Sequence, residues 1–190
     1  HVRDELSKHY GEDIVAKTGN LPAHVLGNMW GQSWSNIYDL VYKAESSPSS
    51  SKIDLTSILI DKDIDEIKMV KIAENFFISL GFEPLSDTFW ERSLFIKPQD
   101  RNVVCHASAW DLNSDINDLR IKMCIERNAE DFSVIHHELG HIFYYQAYSH
   151  LPDIFQSGAN DGFHEAVGDL LTLSITPDYL QKIDMVTKEQ

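Results

Sequence analysis

His137-Glu138-Leu139-Gly140-His141 sets two imidazoles four residues apart. On an α-helix such positions share a face one turn apart, so both rings can hold a single divalent cation. The Glu138 between them then points at the water that the cation would activate. A second run, Gly162-Phe163-His164-Glu165-Ala166-Val167-Gly168-Asp169, offers Glu165 as a third ligand. Catalytic zinc takes three protein ligands and keeps a further position open, and two histidines with one glutamate are such a set. The combination implies a zinc metallopeptidase. Zinc would lower the pKa of water, and Glu138 would accept a proton as that water attacks a peptide carbonyl, later passing it to the leaving amine. The oxyanion formed in between calls for a further donor, and no residue stands out for that role.

The plainer readings are core histidines for His137 and His141 and a solvated surface acid for Glu165. Against them, Gly140 leaves a face of the motif helix bare, where backbone or substrate can approach. Glu165 sits between Phe163 and Val167 in a mostly apolar segment, where a buried acid without a partner is costly. Asp169 lies one turn beyond Glu165, so it can reach back to a ligating imidazole and fix its tautomer. His136 is out of phase with the same metal and stays outside the ligand set.

The elements around these residues read mostly as helix. Asn128 is a plausible N-cap, with Glu130 and Asp131 in the first turn, for a motif helix running to about Tyr148. A loop spans Leu151 to Gly158, and a second helix covers about Asp161 to Ser174 before Pro177 interrupts it. Upstream, apolar spacing predicts one helix from about Ala23 to Tyr42 and another from about Asp63 to Leu80 with Gly81 as its stop. A serine-rich loop lies at residues 44–51 between them, with no obvious domain boundary. Ser86 caps a short turn through Trp90. A hairpin is expected over about Val103 to Ile125, pairing Val103-Val104 with Leu119-Arg120-Ile121 across Asn113-Ser114-Asp115. The expected fold class is mainly α, with one small antiparallel β-hairpin.

Cys105 and Cys124 flank those two strands and come close enough to bridge if the hairpin forms; two buried thiols are the alternative. A bridge would imply an oxidising, extracellular compartment. The 190 residues carry 30 acidic and 16 basic side chains, a formal net charge of −14. That surface repels nucleic acid and anionic lipid, so neither is expected as a partner. No run approaches the roughly twenty apolar residues of a membrane span. The chain opens at His1 in what reads as the interior of an amphipathic helix and stops at Gln190 without a terminator. A fragment of a larger ectodomain is the expectation, with a short complete protein as the plainer alternative.

The sequence resembles angiotensin-converting enzyme and its invertebrate relatives, the M2 peptidyl-dipeptidases. Four blocks carry the resemblance: Pro22 to Leu40 around Trp30-Gly31-Gln32-Ser33-Trp34, Val104-Cys105-His106-Ala107-Ser108-Ala109-Trp110-Asp111, His136 to His141, and Ser157 to Ala166. They occur in family order across nearly the whole chain. The resemblance implies part of a two-halved helical channel fold, with His137, His141 and Glu165 holding Zn²⁺ and Glu138 as the base. It also implies a disulfide between Cys105 and Cys124. His106, Ala107 and Ala109 would line the substrate strand, the hairpin edge pairing with the peptide backbone. Gln32 matches the position that helps hold the substrate's C-terminal carboxylate in the dipeptide-releasing members, whereas a carboxypeptidase homologue has Arg there. Oligopeptides with a free C-terminus are the implied substrates. Family members continue past Gln190 and supply from there a Lys and a Tyr for the carboxylate, a His and a Tyr for the transition state, and most ligands for chloride. A catalytically incompetent fragment or decoy ectodomain, and a carboxypeptidase of the same family, are the competing readings.

Overall fold

The computed structural model describes residues 1–27, 34–42, 53–160 and 162–187. It divides into two compact units, 1–52 and 53–190. The division falls beside the serine-rich stretch, where the sequence reading places no boundary. That stretch, like Gln32, lies outside the described residues.

In the first unit, helix α1 (Val2–Tyr10) ends at Gly11, whose φ of 93° suits a residue without a β-carbon. Short 3₁₀ turns at Ala23–Val25 and Ser35–Ile37 lead into α2 (Tyr38–Val41). The continuous helix expected from Ala23 to Tyr42 is therefore not what forms. Gly27 takes φ 92°, a left-handed conformation that ends the first turn. Leu6, Val15, Val25, Leu26 and Ile37 make this unit's small core.

The second unit begins with α3 (Leu55–Asp61), capped by Asp54, whose carboxylate accepts from Ser57 N at 3.1 Å. Asp63, with φ 49°, separates it from α4 (Glu66–Ser79), capped by Asp65 through Lys68 N at 2.8 Å. The apolar spacing of the sequence does not mark α3, and α4 begins slightly later than that spacing predicts. The end of α4 follows the expected stop: Gly81 N donates to Ile78 O and Phe82 N to Phe77 O, the paired bonds of a Schellman turn. Ser86 caps α5 (Asp87–Arg92) through Phe89 N.

Strands β1 (Ser108–Asn113) and β2 (Asp118–Lys122) pair antiparallel, with Ala109 opposite Ile121 and Asp111 opposite Leu119. The first strand starts beyond Val103-Val104, and Val104 is exposed. Packing explains the shift. Ala107 and Ala109 lie against the core, where larger β-branched side chains would crowd the helix beneath. Asn113 accepts from Asp115 N, and Asn117 takes the left-handed turn that returns the chain. On its far side β2 bonds to the segment around Leu94: Leu94 N donates to Ile121 O at 2.9 Å and Met123 N to Leu94 O at 2.8 Å. Cys105 and Cys124 form a disulfide.

The motif helix α6 (Ala129–Tyr148) is capped as expected by Asn128, which accepts from Asp131 N at 2.7 Å. Its first free N–H, on Ala129, donates to Thr56 Oγ1 at 3.0 Å. Helices α7 (Phe163–Thr172) and α8 (Pro177–Lys182) follow. Pro177 does not interrupt a helix; it opens α8 at the position where a missing N–H costs nothing, with Thr176 as the cap. One side of α6 carries Phe132, Ile135, Leu139, Ile142 and Phe143 into the core, where Phe143 stacks on Phe77 of α4 with ring centroids 4.3 Å apart. Phe77, Phe132 and Phe143 are fully buried, each contributing about 1.5–3 kcal/mol to holding α6 in place. No helix among the described residues is long and apolar enough to cross a membrane.

Candidate metal centre

The face of α6 opposite the core carries His137, Glu138 and His141. Helix α7 packs across it at a crossing made of glycines: a β-carbon on Gly140 would stand 3.0 Å from Gly168 Cα. This contact is the reason for the bare face on the motif helix. It brings α7 close enough for Glu165 to reach both imidazoles.

The three ligand atoms lie within 4.8 Å of one another. Nε2 of His137 is 3.1 Å from Nε2 of His141 and 3.1 Å from Glu165 Oε2, and His141 Nε2 is 3.7 Å from Glu165 Oε1. At usual zinc bond lengths, a tetrahedral set holds its ligand atoms about 3.3 Å apart. Two imidazole nitrogens and a carboxylate at these separations therefore fit zinc.

Glu165 is not the buried acid that its apolar neighbours suggested. Its side chain is 69% exposed, and Phe163 and Leu170 on the same helix are exposed as well. The cost of burial is thus no argument for a ligand here; the convergence of the three atoms is. Asp169 stands where the helical spacing placed it, with Oδ1 3.1 Å from His137 Nδ1.

Glu138 is 6% exposed. Burial pushes its carboxyl above the usual range; nearby His137 opposes this and Glu165 adds to it. Burial, aided by His137, lowers His141, with Glu165 opposing. His136 points the other way, into the core. Its Nδ1 bonds Phe132 O at 2.8 Å, and burial depresses its pKa to about 4.

Two cavities meet at His137 and Glu138. One, of about 500 Å³, runs between these residues and the hairpin, lined by His106, Ala107, Ser108 and Ala109, with His141, Tyr145, His164 and Glu165 on its other side. The second, of about 540 Å³, passes beneath Cys105 and Cys124 toward Asp131, Asp169 and Thr172. The disulfide thus anchors the start of the segment that lines both. His106, Ala107 and Ala109 are gathered beside the three candidate ligands, and Gln32 lies outside the described residues.

The sequence reading passed over His164. Its Nδ1 lies 3.3 Å from His141 Nδ1, and its Nε2 lies 3.0 Å from the hydroxyl of Tyr148. Burial lowers its pKa and raises that of Tyr148 to about 12. Its position next to Glu165 was the one available signal.

The profile of the peptidase M2 family, angiotensin-converting enzyme, matches residues 1–190. The chain is 51% identical over 189 residues to angiotensin-converting enzyme of Bos taurus, covering 98% of the chain and 14% of that protein. It is 43% identical over 188 residues to the enzyme of the same name from Haematobia irritans exigua, and 44% over 187 residues to that of Theromyzon tessulatum. In both, 98% of the chain and 30% of the relative are covered. The chain thus spans less than a third of the length of these relatives.

Proposed function

Because this chain belongs to the peptidase M2 family of angiotensin-converting enzyme, we propose that it carries the metal- and base-bearing part of a zinc peptidyl-dipeptidase. The observation that carries this reading is the convergence of His137 Nε2, His141 Nε2 and Glu165 beside a cleft walled by Glu138 and the hairpin. His137, His141 and Glu165 would hold the zinc. Bound there, it supplies Lewis acidity, which makes water a stronger acid and polarises a peptide carbonyl.

The protein's own residues do the rest. A peptide lies along β1, whose backbone pairs with β2 on one side only among the described residues, and His106 and Ala107 border it. Glu138 takes a proton from water as the water oxygen attacks the carbonyl carbon, and returns it to the nitrogen as the C–N bond breaks. Glu165, itself exposed, is kept on station by the Gly140–Gly168 crossing, and Asp169 holds His137.

Release of dipeptides rather than single residues rests on Gln32 together with His106, Ala107 and Ala109, by resemblance to the dipeptide-releasing members. Substrates are oligopeptides with a free C-terminus. The Cys105–Cys124 disulfide supports an extracellular site of action.

The test is hydrolysis of an N-blocked tripeptide by the protein supplied with zinc, with products read by mass spectrometry. A dipeptide should appear, vanish with a chelator or on Glu138→Ala, and be absent when the substrate's C-terminus is amidated. Dipeptide release by the Glu138→Ala variant overturns the mechanism, and release of single residues favours the carboxypeptidase.

A further inference from the structure

We propose that His164 is the positioning residue for His141, fixing its ring and its tautomer for the metal; this rests on the zinc reading above. A cation takes a lone pair at Nε2, so each neutral ligand ring must carry its proton on Nδ1 and needs an acceptor there. His137 has the Asp169 carboxylate. At His141 Nδ1 the group within reach is a second imidazole, 3.3 Å away.

That pairing determines the protons of three groups in series. His141 Nδ1–H donates to the bare Nδ1 of His164. His164 then carries its own proton on Nε2, which donates to the Tyr148 oxygen at 3.0 Å. The ring is also held by packing. Tyr144 and Tyr145 lie 4.6 and 4.8 Å from it, centroid to centroid. Ala159 N donates to Tyr144 Oη at 2.9 Å and pins the loop, bringing Gly158 so close that a β-carbon there would be 3.0 Å from His164 Cδ2.

The two ligand histidines are therefore backed differently, one by an anion and one by a neutral ring. A carboxylate makes the imidazole it holds a stronger base, whereas an imidazole orients its partner without adding charge. His141 is the less electron-rich ligand of the pair.

A pair of amide substitutions separates this role from a general structural one. Asparagine places its oxygen near the Nδ1 position of His164, and glutamine places it near Nε2. Zinc affinity of the full chain, measured by competition with a chelating dye, should weaken about 10–100-fold in His164→Gln and stay within about threefold in His164→Asn. The visible d–d bands of the cobalt-loaded protein should move in His164→Gln and return in His164→Asn, with thermal melts of the metal-free proteins equal. Equal affinity in the glutamine and parent proteins overturns the assignment. Failure of the parent chain to bind zinc would instead overturn the metal reading and this inference with it.

Discussion

Gly168 lies so close to the His137 imidazole that a β-carbon on it would stand 2.7 Å from Nδ1. The ring would have to turn, taking Nε2 away from Glu165 and Nδ1 from Asp169. In Gly168→Ala two effects on stability oppose each other. Alanine favours the helix by about 1 kcal/mol, and overpacking costs about 1–3 kcal/mol. Stability should thus move little while zinc affinity falls about 10–100-fold. Calorimetric titration beside a thermal melt checks this, and unchanged zinc binding would refute it.

Glu138→Gln keeps the shape of the side chain and removes the proton acceptor. Zinc content, read by elemental analysis, should be unchanged, while kcat for the blocked tripeptide drops about 10²–10⁴-fold. Loss of the metal in this variant would mean that Glu138 acts as a ligand rather than as the base.

His136 should make the fold acid-sensitive. Its pKa is about 4 in the folded protein, against 6.5 for the free side chain. The unfolded chain binds the proton first, so the stability is complete above pH 6.5 and is lost as the pH falls toward 4. The shift corresponds to roughly 3 kcal/mol. His141 and His164, also lowered, act in the same direction, so the comparison is with His136→Phe. Denaturant midpoints for that variant should fall less steeply between pH 7 and pH 4.5 than for the parent. Parallel slopes would exclude His136 as the source.

Reduction of Cys105–Cys124, which closes a loop of sequence separation 19, should cost about 3 kcal/mol. His106 and Ala107 directly follow Cys105, so KM for the peptide should rise as well. Unfolding curves and initial rates with and without reductant measure the two effects. A fall in stability with KM unchanged would show that the hairpin holds the substrate segment without the bridge.

What the sequence revealed was what one helix turn can encode. His137, Glu138 and His141 lie within five residues, and Asp169 one turn from Glu165, so spacing alone predicts which groups meet. The caps at Asn128 and Ser86 and the stop at Gly81 were legible for the same reason. His164 was not. Its partners Tyr148 and His141 come from another helix, and the crossing that brings them together depends on two glycines far apart in sequence. The hairpin slipped because β-branched residues mark a strand only where there is room for them, and the helix below favours Ala107 and Ala109. Glu165 misled by its neighbours, since Phe163 is exposed and Val167 only half-buried.

The twenty residues of α6 both fill the middle of the core and carry His137 and His141, two of the three proposed metal ligands. Phe143, stacked on Phe77, is two positions from His141. A lineage adapting to a warmer or colder setting would adjust such a core first, and here each adjustment would be felt at the imidazoles within a turn. If the site holds zinc as proposed, heat tolerance and metal affinity would be inherited together, and variation in one should track variation in the other among natural forms of this protein.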